Sequence, residues 1–541
     1  MDRRAQLWRW SVVVVFAAES LFFVGWIPDD AFISFRYADN LAEGSGLVFN
    51  PGERVEGMSN PLWTVLLAAI TAVGGSAAGA AVILSLVCAL AAVALTLRLF
   101  EVVGGGPGRH LVPKALLSVA LVVSMPMAFY ATSGMETHAE LSLLLAGVVL
   151  HLQARSHGGD PRRLAASQLA FLGVALLRPE GIMFLLVGCV LTAYTLRGRR
   201  GAILVATPLV IYVVLCAVKA AYYGAVLPNT YLAKPGAQIG YLAPLWRGVR
   251  SLVRFHIVSG FVLLLPFCVV AFADRRRRYA CALISAVVTA QLAFIVLVGG
   301  DVLRFNRFTV PFFPFAIALA LIGLIHVVST QRTRPRRMLL AAAVAGVAIM
   351  AVLNVGRAVL AHQKRCEHDW MHAHVHRYVG RFLRDALPAG SAVVTNEVGA
   401  IAYESGLVTH DMIGLTDATV GALVYESYRR FGDAGTPWSA PLIADYLLSR
   451  NADCVIVPSY DPLDSPDGAM HPIWAAVHGH EGMAADYRCW FGLRIHEGKY
   501  WYLFLRKDVD ESATGPHIIE VPPGLWCAAV VDCPTASGPT R

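Results

Sequence analysis

Charge is scarce in this sequence. Of its 541 residues only 15% are Asp, Glu, Lys or Arg, against about 25% in an average soluble domain. Hydrophobic residues make up 56%, which excludes an ordinary soluble protein, a disordered chain and a collagen-like one. A Gly-rich phosphate loop behind a strand is also missing, together with the Lys that would follow it, so the chain carries no mark of a nucleotide site. The ten cysteines fall in no zinc-binding spacing. There is no internal repeat and no long low-complexity linker. The net charge of +8 does not imply nucleic acid, because membrane proteins gather Lys and Arg in cytoplasmic loops. A polytopic α-helical membrane protein with additional polar mass is what remains.

The first apolar run, 7–27, follows Arg3 and Arg4. No small-x-small cleavage site precedes Pro28, Asp29 and Asp30, so a retained anchor is expected rather than a cleaved signal. Further apolar runs lie near 78–100, 115–132, 138–154, 165–178, 182–196, 201–222, 257–273, 279–298, 311–330 and 338–360. A helix needs about 20 residues to cross about 30 Å of hydrocarbon. The run at 61–73 is too short, and the charges decide how it is read. If it does not span, Arg3/Arg4, Arg98/Arg109/Lys114, Arg155/Arg162/Arg163, Arg197/Arg199/Arg200, 275–278 and 332–337 all fall on one side. The excess of positive charge on the cytoplasmic side then predicts about eleven transmembrane helices, with the N-terminus inside and everything after about residue 361 outside.

The expected organisation is therefore a transmembrane catalytic domain over 1–360, whose first exterior loop is 28–61, and an exterior soluble α/β domain over 361–541. In that second part 392–395 reads as a strand, 397–405 as a short helix and 407–415 as a strand. The stretch 444–450 leads into a strand at 454–458, and 487–506 alternates like a hairpin. Cys88, Cys189, Cys216, Cys268 and Cys281 sit in apolar runs and read as small hydrophobes. Cys366, Cys454, Cys489, Cys527 and Cys533 lie in the exterior part, where Cys527 and Cys533 are near enough in sequence for a local disulfide, a pairing that spacing leaves open. Five histidines fall in 362–376; their spacing fits no metal motif, and an amphipathic interfacial helix is expected. Trp370, Trp474, Trp490, Trp501 and Trp526 read as core, with stacking on sugar rings the alternative.

The exterior loops hold the candidate chemistry. The first carries Asp29, Asp30, Arg36, Tyr37, Glu53 and Glu56. Two adjacent carboxylates just beyond a span sit where the dielectric falls and a carboxylate can become basic enough to deprotonate a hydroxyl; an acidic helix cap is the alternative. On the same side lie Glu136 and His138, and Arg178 with Glu180 around Pro179. This last turn fits either a site or a structural hairpin closed by an ion pair. Asn229, Tyr231 and Lys234 follow, then Asp301, Arg304 and Arg307. Cations on one side with carboxylates suit a phosphate-bearing lipid: the cations hold the phosphate and a carboxylate activates the acceptor. No metal ligands are assigned and no cofactor is firmly implied, although paired carboxylates are compatible with a divalent cation.

The order DDAFISFRYADNLAEGSGLVFNPGERVEG, SGMETH, LRPEG, YYGAVLPNTYLAK, GGDVLRFNRF, VGAIAYESG and DMIGLTD resembles one branch of the GT-C membrane glycosyltransferases. Within it the chain resembles the actinobacterial terminal arabinofuranosyltransferases that use decaprenylphosphoryl-arabinose. It is more distantly similar to protein O-mannosyltransferases and to the aminoarabinose transferase of lipid A. The resemblance implies a GT-C fold in the bacterial inner membrane. It also implies inverting transfer of a sugar from a polyprenyl-phosphate donor to an envelope glycan or glycolipid acceptor on the outer face. Arabinofuranose is the sugar it suggests, with mannose or another polyprenyl-linked sugar as the alternative. It implies Asp29 as the base, with Asp30 as an orienting or alternative base, and phosphate binding by Lys234, Arg304 and Arg307. The carry-over to Glu136 and His138 is weaker. A transporter or flippase would instead place ionisable groups at bilayer depth and show repeats related by topology, whereas the spans are mostly apolar, with Lys219 an exception, and charge crowds at one surface. A non-enzymatic envelope or motility-control scaffold would tolerate loss of Asp29.

The proposed orientation has a direct test. A reporter fused after residue 277 is expected to report cytoplasm, and one fused after residue 380 the exterior; a cytoplasmic signal at 380 would mean that 61–73 spans or that another helix was miscounted.

Overall fold

The computed structural model describes residues 3–106, 108–233, 242–301, 303–331, 333–363, 369–432, 436–460, 470–496, 499–509 and 529–531. The N-terminal part is helical throughout: α1 (Arg3–Leu21), α2 (Asp29–Ala42), α3 (Pro61–Ala72), α4 (Ala77–Gly104), α5 (Leu111–Val122), α6 (Met125–Tyr130), α7 (Thr137–Ser156), α8 (Pro161–Leu177), α9 (Gly181–Thr195), α10 (Arg199–Tyr223), α11 (Asn229–Ala233), α12 (Leu242–Val258), α13 (Leu265–Val270), α14 (Arg278–Leu297), α15 (Phe313–Thr330) and α16 (Thr333–Gln363). By length and composition five of these can cross a membrane alone, namely α4, α10, α14, α15 and the Arg334–Ala361 stretch of α16. With 12 residues, α3 is about 18 Å long at 1.5 Å per residue, short of the roughly 30 Å a span requires.

The sequence predicts about eleven spans; among the described residues five helices, or six counting one bent pair, are long and apolar enough to cross, and the run 115–132 is divided between α5 and α6. Two further stretches differ from the sequence expectation. The run 257–273 is not one straight helix. It breaks at Gly260, which adopts φ +76°, and the segments Pro244–Val258 and Phe261–Ala273 meet at 81°. The stretch 28–61, read as a loop, opens with α2, 14 residues long and so nearly four helical turns. Its residues explain this. Phe32, Phe35 and Ala38 recur at helical spacing and enter the core of the membrane bundle. Ile33 and Tyr37, on another face, pack with Val398, Ala402 and Leu415 of the C-terminal part. A helix with two buried faces joins the two halves of the molecule.

Close helix crossing inside the bundle depends on small residues. A Cβ added at Gly323 in α15 would stand 1.9 Å from the Phe267 carbonyl oxygen of α13, so only glycine permits that approach.

The C-terminal part comprises α17 (Asp369–Ala386), β1 (Ala392–Thr395), α18 (Ala400–Ser405), β2 (Val408–Asp411), α19 (Ala418–Phe431), α20 (Ser439–Ser449), β3 (Cys454–Ser459), α21 (Pro472–His478), α22 (Glu481–Asp486), β4 (Tyr487–His496), β5 (Lys499–Arg506) and β6 (Ala529–Val531). The strands form one mixed sheet in the order β2-β1-β3-β5-β4-β6. β1 pairs in parallel with β2 and β3, while β5 is antiparallel to β3 and β4, which is the hairpin expected over 487–506. Alternating side chains feed two cores. Val393 and Ile456 pack under α17, and Val394, Val455 and Val457 pack under α19, α20 and α21.

The helix expected at a membrane interface is α17, and its apolar face is spent elsewhere. Val375, Val379 and Leu383 are buried against the sheet, because β1 and β3 present an apolar face that a helix must cover. Trp474 and Trp501 are buried, as the core reading expects. The five cysteines of the apolar runs and Cys454 are free thiols, whereas Cys489 is disulfide-bonded. The expected Cys527–Cys533 pairing and Cys366 lie outside the described residues.

Candidate active site

The site is built on α2. Asp29 and Arg36 lie seven residues apart, two helical turns, and therefore project from the same face. Between them lies α18. Asp29 accepts from the Gly399 and Ala400 amides at 2.8 Å each, at the start of α18. Arg36 donates to the carbonyls of Ala402 (2.5 Å) and Leu407 (2.7 Å), at its end. Negative charge thus meets the N-terminus of α18 and positive charge its C-terminus, the arrangement that a helix dipole favours. Arg36 also donates to the Phe49 carbonyl at 2.7 Å and to Asn50 Oδ1 at 3.0 Å. Its guanidinium stands 4.6 Å from the centre of the Phe49 ring.

A third hydrogen bond reaches Asp29, from His376 Nδ1 of α17 at 2.9 Å. Burial pushes the Asp29 carboxyl up, but His376 and the two amides outweigh it and hold the group below its ordinary range. His376 is itself buried and packs on Trp501 with ring centres 4.8 Å apart. Glu397 Oε2 lies 4.0 Å from His376 Nδ1, and Lys499 Nζ lies 3.7 Å from Glu397 Oε1. Ligand atoms of Asp29, His376 and Glu397 lie within 4.8 Å of one another, so these are the residues that could hold a cation. Asp30, half-buried, follows Asp29 at 100° around the helix.

The other expected residues of the first loop are held by partners within the chain. Tyr37 donates to the Val55 carbonyl at 2.5 Å and accepts from the Gly57 amide at 2.8 Å. Glu53 pairs with Arg450 at 2.6 Å. Glu56 pairs with Lys219 at 3.0 Å, which supplies a partner for a charge set within an apolar run. Asn229 donates to the carbonyls of Gly414 (2.6 Å) and Asp417 (2.9 Å), clamping the DMIGLTD turn. Tyr231 is half-buried beside it; Lys234 lies outside the described residues.

A second group gathers Glu136, Arg178, Glu180, Asp301 and Arg307. Arg178 reaches Glu136 and Glu180 at 2.6 Å each and stands 3.7 Å from Glu140. The turn around Pro179 is therefore closed by an ion pair, and that pair extends into a network. Asn60 donates to Glu136 at 2.7 Å and accepts from Ser34 of α2 at 2.9 Å. Arg178 is thereby tied back to α2 through Glu136, Asn60 and Ser34. Arg178 holds Glu136 below the carboxylate range despite burial, with help from Arg307 and Asn60. Arg307 is buried, stacks on Phe308 at 4.9 Å and donates to the Met135 sulfur at 3.4 Å. Asp301 accepts from the Leu303 and Phe308 amides at 3.0 and 3.1 Å, shaping its own loop. His138 is buried in the first turn of α7, and Arg304 is exposed, its carbonyl accepting from Tyr130 at 2.5 Å.

The sequence reading brought forward neither His376 nor the connecting amides and amide side chains, Asn50 and Asn60. His376 stands in the histidine-rich stretch, but no local spacing pairs it with a residue 347 positions away.

A family model described only as a domain of unknown function (DUF8728) matches residues 367–505. Among curated proteins, a terminal β-(1→2)-arabinofuranosyltransferase of Mycobacterium tuberculosis is 30% identical over 233 residues, 39% of this chain and 35% of that protein. The match spans about a third of that relative's length. Among solved structures, ArnT from Cupriavidus metallidurans bound to undecaprenyl phosphate superposes with a TM-score of 0.55 at 14% identity, over 94% of this chain and 98% of that one. The archaeal oligosaccharyltransferase AglB from Archaeoglobus fulgidus, in complex with an inhibitory peptide and a dolichol-phosphate, gives a TM-score of 0.51 at 11% identity, over 83% and 69%. The chain has the GT-C fold, and the resemblance read from its motifs is borne out by a curated relative carrying the arabinofuranosyltransferase name.

Replacing Arg36 by Met keeps the apolar stem but strands buried carbonyls of Ala402 and Leu407. Hydrogen bonds to a charged group contribute about 1.5–3 kcal/mol each, so Arg36→Met, which loses four of them, is expected to lower the thermal unfolding midpoint in detergent more than Asp29→Asn, whose single amide oxygen can still accept from one of the two amides. Because the Asp29 carboxyl is depressed, its contribution is complete above the unfolded value near pH 3.9 and is lost only as pH falls through the lower folded value. Limited proteolysis across that pH range checks the sign.

Proposed function

We propose that the protein is an inverting membrane glycosyltransferase. It moves a sugar, arabinofuranose by its relatives, from a polyprenyl-phosphate donor to a hydroxyl of an envelope glycan or glycolipid on the outer face of the bacterial inner membrane. The observation that carries this reading is the carboxylate pair Asp29-Asp30 at the start of α2, directly behind the first apolar helix and against the α/β part. It stands in a fold whose solved members are held with undecaprenyl phosphate and dolichol-phosphate.

The chemistry follows from charge. The acceptor O–H gives its proton to a carboxylate while its oxygen attacks the anomeric carbon. The bond from that carbon to the phosphate oxygen breaks, and polyprenyl phosphate leaves as an anion. The leaving group needs cations rather than a strong acid, and Lys234, Arg304 and Arg307 are the cations assigned to it. The sugar carbon develops positive charge that nearby carboxylates stabilise. Asp29 is saturated by three donors and depressed, which weakens it as a base. Asp30 is therefore assigned as the base, and Asp29 as the positioning residue that fixes α2 against α18. Residues 1–360 form the catalytic part in this reading, and the α/β part over 361–541 guides the acceptor.

Purified protein with decaprenylphosphoryl-arabinose, and with a polyprenyl-phosphate mannose as competitor, tests both the reaction and the sugar. Asp30→Asn is expected to slow transfer by about 10²–10⁴ with donor binding intact. If Asp29→Asn alone abolishes turnover in folded protein, the base is Asp29. If neither substitution slows transfer, the mechanism is wrong.

A further inference from the structure

The sheet of the α/β part has an edge that the proposed reaction has not used. From β1 the chain passes through α18 to β2 on one side, and from β2 it returns through α19 and α20 to β3 on the other side of β1. The three strands are parallel. The two connections lie on opposite faces. Ile401 of α18 packs with Val393 and Ile456, whereas Val424 of α19 and Ile443 of α20 pack with Val394 and Val455. Where the strand order reverses in this way, the loops beyond the carboxyl ends of β1 and β3 diverge. The crevice between them is where open α/β sheets bind ligands.

The residues at that edge combine fixed polar groups with open aromatic rings. The turn after β1 brings Asn396 and Glu397. Asn396 Nδ2 donates to Glu397 Oε1 at 3.1 Å, and the same oxygen lies 3.7 Å from Lys499 Nζ at the start of β5. β3 outruns β1 and ends at Ser459, which pairs with Tyr500. The next residue, Tyr460, is 46% exposed, its ring 5.5 Å from that of Trp474 in α21. Tyr500 is half-buried and stacks on Tyr502 at 6.4 Å with the planes 18° apart. Trp474 and Tyr502 belong to the core under α19, α20 and α21, while Glu397 faces His376 of α17. Rings therefore flank one side of the β3 end, and the Glu397–Lys499 pair flanks the other.

This edge adjoins the carboxylate pair of α2. The Gly399 and Ala400 amides that bond Asp29 belong to the turn after β1. Asp29, Asp30, Glu397 and Lys499 are all partly exposed. With three carboxylates against Lys499 and one histidine, the crevice disfavours an anion. A neutral ring with adjacent hydroxyls fits it. A carboxylate accepts from one hydroxyl, an ammonium donates to the next, and a flat aromatic ring meets the apolar C–H face.

We infer that a neutral sugar residue of the acceptor glycan binds in this crevice, over Tyr460 and Tyr500, with adjacent hydroxyls shared between Glu397 and Lys499. The end of the glycan is thereby directed to the Asp29–Asp30 pair. That the ligand is the acceptor rests on the proposed function; the preference for a neutral glycan does not.

The full chain in phosphatidylcholine nanodiscs is titrated with a tetra-arabinofuranoside in the absence of donor, with binding read by saturation-transfer NMR. Tyr460→Ala and Lys499→Gln are each expected to weaken binding about ten-fold, and Tyr460→Phe, which keeps the ring, to retain most of it. A tetragalacturonate, uniformly acidic, is expected to bind at background level. Undecaprenyl phosphate, titrated on the same samples, is expected to bind the variants and the wild type equally. Wild-type glycan binding by both Tyr460→Ala and Lys499→Gln overturns the inference. So does equal binding of the tetragalacturonate, or an equal loss of glycan and lipid binding in the variants. Glycan binding that depends on these residues, without any glycosyl transfer, refutes the proposed function and not this site. Transfer with an unchanged acceptor KM in both variants refutes this site and not the function.

Discussion

A six-residue helix gripped at both ends by opposite charges is the contact on which the rest of the architecture depends. Alone, α18 is far too short to persist in water. It persists because Asp29 and Arg36, fixed two turns apart on α2, accept and donate where its peptide groups would otherwise be buried unpaired. The same residues join α2 of the helical bundle to the α/β part. Burial makes the contact demanding: each of these groups loses water, and only a full set of partners offsets that loss.

The same constraint organises the second group. Arg178 lies between Glu136 and Glu180, with Glu140 nearby, in a place where an isolated charge would be prohibitive. Its network reaches α2 through Asn60 and Ser34. The loops that follow α2, α6, α8 and α14 are therefore parts of one polar layer laid over an apolar bundle. In that layer most charged side chains serve as partners for one another, as Glu56 does for Lys219 and Glu53 for Arg450.

Much of this was legible in the residues. Low charge and long apolar runs specify a helical membrane protein, because a chain in hydrocarbon must satisfy its backbone bonds internally, and a helix does so within one apolar run. Period-two alternation marked the hairpin at 487–506, and the strands at 392–395 and 454–458 were visible from short β-branched runs. Two local readings failed for identifiable reasons. The run 257–273 is apolar throughout, so hydropathy cannot see the break that Gly260 and contact with α16 impose. The face of α17 looked interfacial because an amphipathic helix is the same object whether it covers lipid or a sheet.

The residues that carry charge were identifiable from the sequence alone, as were their clustering in loops of one side and their motif order. What each charge does was decided only in three dimensions. Asp29 meets His376 and Gly399 across more than 340 residues, and Arg178 meets Glu136 across 42. The protonation and role of a carboxylate depend on which donors surround it and how much water is excluded. Those quantities belong to the folded arrangement, since local sequence fixes which groups exist and only packing fixes which of them remain available.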